Sequence, residues 1–325
     1  MRVIVVVFCF WLSLNTALSQ REYDTVQYRS EKNPYYWKNR KPFEGYWQQD
    51  VKLKMEVKLN DMLDFIESEK FELTYYNNSP YRLNELFFHV NEQAFQPGSY
   101  YDDLNRNNGL KPKFGKYERQ GLGTVVKNIK VDGVEVEPEF DNTVFKVTLP
   151  RALKSGDSLL VTLDFKTYFD AGGSMRRRMK MYNAYGFKHF DAVHWYPQIA
   201  VFDAKAGWNV DQHLDKEFYN NFGSFEVSIT LPAEYVMEAT GVLLNKEEVM
   251  PDSLRKKLDL RNFKDKPFGE KPSIITERLL DENGDPETKT WRWFATNVHN
   301  FVFTADPLYR IDEVDWQSIK AIALV

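Results

Sequence analysis

The sequence predicts a mainly β fold, built as an antiparallel β-sandwich or saddle. Apolar and polar residues alternate through Val51–Leu59 and again through Phe225–Leu231, a pattern typical of strands with one buried face. Asp132-Gly133 and Asn283-Gly284 are dipeptides that favour tight hairpin turns. Helical periodicity is almost lacking, so short strands separated by turns indicate antiparallel sheets.

Composition narrows the class of protein. The chain has 325 residues, of which 43% are apolar, 15% aromatic and 28% charged, and its net charge is −4. Such a chain can bury a sizeable core and differs from disordered sequences. Because there is no basic domain and the basic run Met175–Lys180 is short, we expect no nucleic-acid partner.

The first residues follow the order of a secretory signal peptide. Arg2 precedes the apolar run Val3–Leu12, and Ala17-Leu18-Ser19 is a suitable cleavage site. This run is too short to span a membrane stably, and no later segment is apolar enough to do so. We therefore expect an exported protein, periplasmic or extracellular. The single cysteine, Cys9, lies in the same segment, so the mature protein would have neither disulfides nor a catalytic thiol.

Further strands are predicted along the chain by the same alternation and turn patterns. Val144–Leu149 is expected to pair with Ser158–Phe165, and Tyr235–Leu244 to return alongside Phe225–Leu231. Asn91–Asn108, rich in Pro, Gly and Asn, is expected to be a loop. The other predicted strands are Phe71–Tyr76, Glu85–Val90, Val125–Val131, Val134–Val136, Ser273–Leu280, Thr290–Phe294 and, as the last one, Phe301–Thr304.

The segment His194–Gly223, called the aromatic segment below, has neither strand nor helix periodicity. It contains two Trp, two Tyr and four Phe or Ile residues between short turns. Tertiary contacts must hold such a segment, which is usually functional or a structural keystone. Core packing is the expected role for most of its aromatics, and a platform for a sugar or peptide is the alternative.

Self-contained catalytic motifs are lacking in the sequence. No histidine belongs to an H-E-x-x-H motif, and there is no G-x-S-x-G elbow. His189 and Asp191 would share one face of a strand while His194 points away, so a metal site there would need a loop. Ala171–Ser174 could hold an anion. We expect a flexible loop there instead, because no helix N-terminus follows.

The motifs of the aromatic segment carry a resemblance to a known family. Trp195–Asp203 reads W-Y-P-Q-I-A-V-F-D, followed by Gly207-Trp208-Asn209, Glu217-Phe-Tyr219 and Phe222–Pro232. These residues resemble the N-terminal domain of the aminopeptidase N family of zinc metallopeptidases, most closely its exported bacterial members. There, W-Y-P-x-x-A-V-[YF]-D precedes G-W, E-F-Y-x-x-F-G and a strand that ends in L-P.

The resemblance implies a saddle-shaped β domain at residues 50–310, after a signal peptide at 1–19 and an N-terminal extension at 20–49. Residues 311–325 would begin the link to a thermolysin-like catalytic domain, which in the family carries G-x-M-E-N and the zinc site H-E-x-x-H. Neither motif occurs in this sequence, which implies a fragment of a larger protein. Zinc and the hydrolysis of peptide N-termini would belong to the full-length protein, with peptides and its own catalytic domain as partners. The chain alone is expected to bind no zinc and to be inactive.

The resemblance also implies substrate-binding residues. In the family, the N-terminal domain contributes one Gln or Glu to the pocket for the free amino group of the substrate. Alignment on Ala200-Val-Phe-Asp203 brings Asp191 to that place, where a carboxylate could pair with the charged amine. Glu217 is a second candidate, and no catalytic residue or metal ligand is implied in this chain. The family's Asp-Phe near the end of the domain is Asn300-Phe301 here.

Two alternative functions stay open on the sequence alone. The same β saddle could be a non-catalytic binding or adaptor module, which a stop codon directly after Val325 would favour. A carbohydrate-binding β-sandwich that uses Trp195 and Trp208 is the other alternative, and it requires polysaccharide binding that is lost on Trp208→Ala.

Overall fold

The computed structural model describes residues 44–171, 179–184, 186–214, 218–263, 278, 280–317 and 319–325. The chain divides into two compact units, Met1–Tyr46 and Trp47–Val325, and the described strands and helices belong to the second. The predicted signal peptide and residues 20–43 of the predicted N-terminal extension lie outside the described residues. So do the Ala171–Ser174 loop beyond its first residue and most of the predicted strand Ser273–Leu280.

The described part of the chain is 51% strand and 12% helix, which confirms the predicted mainly β fold. The helices are α1 (Tyr100–Asn107), α2 (Lys246–Val249) and α3 (Asp252–Leu258), with 3₁₀ turns at Asn91–Phe95, Glu118–Gln120 and Leu260–Phe263. The strands are β1 (Asp50–Asn60), β2 (Phe65–Tyr76), β3 (Leu83–His89), β4 (Thr124–Val131), β5 (Val134–Glu135), β6 (Pro138–Asp141), β7 (Val144–Leu153), β8 (Ser158–Tyr168), β9 (Met179–Ala184), β10 (Phe187–Ala192), β11 (Gln198–Ile199), β12 (Phe202–Asp203), β13 (Gly207–Trp208), β14 (Gly223–Pro232), β15 (Val236–Ala239), β16 (Val242–Leu243), β17 (Thr288–Val298), β18 (Phe303–Asp306), β19 (Ile311–Trp316) and β20 (Ile319–Leu324).

The largest sheet has eight described strands in the order β16-β17-β14-β1-β2-β8-β4-β5. Its central strand β1 follows the predicted alternation, since every second side chain from Val51 to Leu59 is buried and Lys52 and Lys54 face solvent. β1 pairs in parallel with β14, with Val51 opposite Gly223, whereas the other ladders of this sheet are antiparallel. One face is therefore core and the other is solvated.

Two smaller sheets have four described strands each, in the orders β15-β18-β10-β9 and β11-β3-β7-β6. The pairs β12-β13 and β19-β20 form two-stranded sheets. The turn between β4 and β5 has positive φ at Asp132 (49°) and Gly133 (81°), as the predicted type I′ hairpin requires.

The aromatic segment packs into the same hydrophobic core as the sheets. Trp195 is fully buried, its Nε1 donates a hydrogen bond to the Phe301 carbonyl (3.0 Å), and its ring lies 6.1 Å from Phe165 and 5.6 Å from Phe303. Because Phe165 lies on β8 and Phe303 on β18, this indole joins two sheets. Trp208 is partly buried and its ring centroid lies 4.8 Å from that of Phe202. These contacts support the core-packing role, and buried Trp195 cannot present a face to a sugar.

Two predicted strand pairings are wrong. β7 pairs with β3 and β6, whereas β8 pairs with β2 and β4, so the predicted hairpin of Val144–Leu149 with Ser158–Phe165 does not form. Asn77 explains the separation, because it bonds to both Gly156 and Asp157 and turns the chain from one sheet to the other. The region Tyr235–Leu244 does not return along β14 either. It splits into β15, which pairs with β18, and β16, which pairs with β17.

The predicted loop Asn91–Asn108 is largely helical. Its 3₁₀ turn is followed by α1, whose N-terminus is capped because the Ser99 hydroxyl accepts a hydrogen bond from the Asp102 backbone N–H (3.1 Å). At the other predicted turn, Asn283-Gly284, Gly284 has φ 84° and its N–H bonds to the Asp281 carbonyl. Two strands, β19 and β20, follow the strand that the sequence predicted as the last.

Candidate functional site

A cleft with a volume of about 540 Å³ lies on one face of the sheet β15-β18-β10-β9. Its walls combine two carboxylates, a lysine and a tyrosine with apolar side chains. The lining residues are Lys180, Tyr182, Asp191, Val193, Glu238, Ala239, Thr240, Val302, Phe303 and Thr304.

Strand register places the polar residues of the cleft in one row. Lys180 on β9 is opposite Asp191 on β10, Asp191 is opposite Thr304 on β18, and Thr304 is opposite Glu238 on β15. Residues in register project from the same face of a sheet, so these four side chains point into the cleft. The row crosses the whole sheet from one edge to the other.

Asp191 belongs to a charged cluster centred on His189. The His189 Nε2 lies 3.1 Å from Asp191 Oδ1, and its Nδ1 lies 3.1 Å from Asp306 Oδ2. Burial alone would lower the pKa of His189, but its hydrogen bonds to both carboxylates raise that pKa from 6.5 to about 9. The same hydrogen bond to His189 lowers the pKa of Asp191. At neutral pH the cluster therefore consists of an imidazolium between two carboxylates.

Asp191 keeps access to solvent despite this ion pair, since its side chain is 44% exposed. Thr304 beside it is held by a hydrogen bond with the Tyr309 hydroxyl. At the other end of the row, burial raises the pKa of Glu238, while the charges of Arg255 and Lys246 act against that rise. The cleft thus presents acceptors to a cationic group at two separate places.

The structure places the residues singled out in the sequence at different locations. Asp191 lies in the cleft as described, and Glu217 lies outside the described residues. His189 and Asp191 share one face of β10, as predicted, whereas His194 is buried elsewhere, with its Nδ1 3.2 Å from Asn300 Nδ2. Within the described ranges, no group of three or more His, Cys, Asp or Glu side chains is arranged to hold a metal ion.

Asn300 has a clear local role as an amide. Its Oδ1 accepts hydrogen bonds from the Tyr196 hydroxyl (3.1 Å) and from Gln198 Nε2 (3.0 Å), and its Nδ2 faces His194 Nδ1. A carboxylate at this position would keep the two acceptor contacts but could not donate to the imidazole nitrogen. The Asn300 amide is therefore matched to the buried polar network that holds the start of the aromatic segment.

Sequence reasoning missed Glu238 and Thr304. Both residues lie on short strands outside any recognisable motif, and they meet Asp191 only through the pairing of β15 and β10 with β18. The alternation of β18 could have indicated that Thr304 faces away from the buried Phe303 and Ala305, but nothing local indicates its neighbours.

Comparison with known proteins gives structural neighbours only. No family model matches the sequence, and no curated protein matches it. The crystal structure of an M1 zinc metallopeptidase from Deinococcus radiodurans is similar over 86% of this chain and 46% of its own length, with 14% identity and a TM-score of 0.43. A mutant of that M1 zinc metallopeptidase bound to a Tyr-Ser-Ala substrate is similar over 86% and 47%, with 13% identity and a TM-score of 0.42. This chain spans less than half the length of the structures that it resembles.

No helix in the described ranges combines the length and apolar character needed to cross a membrane.

Proposed function

We propose that this chain is the β domain of an exported zinc aminopeptidase-like protein, and that its cleft binds the free amino group of peptide N-termini. Zinc and hydrolysis belong, in this proposal, to a separate catalytic domain of the full-length protein, with residues 50–310 forming one wall of the substrate cleft. The motifs from Trp195 to Pro232 support the class of protein, and the predicted signal peptide supports export.

The observation that carries the proposal is the position of Asp191. The family resemblance implies an amine-binding residue there, and the proposal is supported by the partly exposed carboxylate of Asp191 on the wall of a cleft. Its low pKa keeps it ionised at neutral pH, and an ionised carboxylate makes charge-assisted hydrogen bonds to an ammonium group.

Calorimetric titration of the purified chain with two short peptide amides, identical except for N-terminal acetylation, tests this proposal. The peptide with the free amine should bind about fivefold more tightly, because a partly exposed charge pair contributes around 1 kcal/mol. Asp191→Asn should remove the difference. Asp164→Asn, on the solvated face of β8, is the matched control and should leave it unchanged. Equal binding of both peptides by the unaltered chain would show that the cleft is not an amine site.

A further inference from the structure

The cleft contains a second carboxylate in register with Asp191. Glu238 on β15 is separated from Asp191 by a single residue of the row, Thr304 on β18. Neighbouring strands lie about 4.8 Å apart, so the Cα atoms of the two acidic residues are about 10 Å apart. Both side chains line the same cavity.

Two cationic side chains lie at the Asp191 end of the row. Lys180 lies directly opposite Asp191 on β9, and His189 forms an ion pair with it. If one ammonium group of a ligand binds Asp191, these two side chains repel a second cationic group of the same ligand from the β9 edge. The opposite end, at Glu238, attracts that second cation.

The charges near Glu238 leave its carboxylate able to take a ligand. Its hydrogen bond comes from the Ala239 backbone N–H, while Arg255 and Lys246 act on it through their charge. Arg255 is itself paired with Glu313. The partial burial that raises the pKa of Glu238 also strengthens any ion pair that it forms with a ligand.

The surface beside this polar row is largely apolar. Val193 and Val302 line the cleft beside the Thr304 position. Long basic side chains bury their methylene stems on such surfaces while their charged ends reach polar partners. A basic side chain that spans from Asp191 to Glu238 would pass over Thr304 and lie against this apolar surface at its side.

We infer that the cleft is a two-point cation site that selects peptides beginning with lysine or arginine, with Asp191 binding the α-ammonium group and Glu238 the basic side chain. In an extended lysine the two nitrogens are about 7 Å apart. One nitrogen bonds to Asp191 and the other to Glu238, each through a charge-assisted hydrogen bond of about 2.8 Å. This span fits two carboxylates whose Cα atoms are about 10 Å apart. The inference rests on the proposed amine site and adds its substrate class.

The test compares two peptide amides, one beginning with lysine and one with norleucine, which has nearly the same aliphatic stem without the ammonium group. Titrated into the purified chain at low salt, the lysine peptide should bind about five- to tenfold more tightly. Glu238→Gln should abolish this preference and leave the norleucine peptide unaffected, whereas Asp191→Asn should weaken both. Glu248→Gln, an exposed carboxylate paired with Arg292, is the matched control and should change neither affinity.

Acetylation of the lysine side chain in the peptide is a second measurement that needs no variant, and it should reduce the affinity to that of the norleucine peptide. Equal binding of lysine and norleucine peptides, both tighter than their N-acetylated forms, would overturn the two-point site and keep the amine site. If N-acetylation has no effect on either peptide, the amine site and the inference built on it both fail.

Discussion

At the scale of single residues, His189 determines the charge state of the cleft wall. Its pKa is raised from 6.5 to about 9, so the folded protein binds a proton that the unfolded chain releases near pH 6.5. The resulting stabilisation is complete below pH 6.5 and is lost as the pH rises through about 9. Asp191, whose pKa is lowered, also stabilises the folded protein. Its contribution is present at neutral and alkaline pH and is lost only in acid.

His189→Gln tests this charge cluster. We expect the unaltered chain to lose stability between pH 6.5 and 9, and the variant to lack that part of the decline because glutamine does not titrate. Thermal unfolding followed by circular dichroism across this pH range measures the effect. His299→Gln replaces an exposed histidine as the control and should give the same pH profile as the unaltered chain. Parallel profiles for all three proteins would contradict the role assigned to His189.

The sequence could identify one residue of the cleft but not its partners. Asp191 was predicted from its distance to Asp203, because the resemblance to a known motif depends on spacing along the sequence. Glu238 has no motif, and its neighbours come from strands far along the chain. Side-chain alternation encodes which face a residue occupies, but not which strand lies beside it.

At the scale of elements, the parallel contact of β1 with β14 depends on a small residue. A Cβ atom added to Gly223 would lie 2.6 Å from the Val51 carbonyl oxygen and 2.3 Å from its Cγ2. Because Val51 is opposite Gly223 in the ladder and buried, neither atom can move away freely.

Gly223→Ala should therefore destabilise the protein by about 1–3 kcal/mol, the usual range for overpacking. Ser228→Ala on the same strand is the control, since Ser228 is partly exposed and its change should stay within about 0.5 kcal/mol. Urea unfolding monitored by tryptophan fluorescence gives both values. If Gly223→Ala lowers the free energy of unfolding no more than Ser228→Ala does, then β1 and β14 can move apart at this point without an energetic penalty.

Strand positions were predictable at this scale, and strand partners were less so. The alternation of Val51–Leu59 predicted both the position and the buried face of β1, and Asp132-Gly133 predicted the β4–β5 turn. The pairing of β7 with β8 was expected from proximity, yet the turn between them bonds through its backbone to Asn77 at the end of β2, and β8 continues along β2 in another sheet.

At the scale of the whole molecule, Trp195 connects sheets that are distant in sequence. Its ring contacts side chains of β8 and β18, and its N–H bonds to the Phe301 carbonyl.

We expect Trp195→Phe to destabilise the unit by about 2 kcal/mol or more, through a lost hydrogen bond and a cavity between the sheets. Trp208→Phe, at a partly buried site, is the control and should cost less. Urea unfolding followed by circular dichroism compares the two, and equal losses would refute the connecting role of Trp195.

The parallel ladder of β1 and β14 has a consequence for the order in which the chain folds. Val51 and its partner Gly223 are about 170 residues apart in sequence. Loops of this length close slowly, and non-local pairings of this kind lower folding rates. During synthesis, β1 can pair with β2 at once, but its other edge stays open until β14 has emerged. The alternating lysines of β1, Lys52, Lys54 and Lys58, lie along the strand during this interval, and charged side chains on an open edge oppose pairing with other chains.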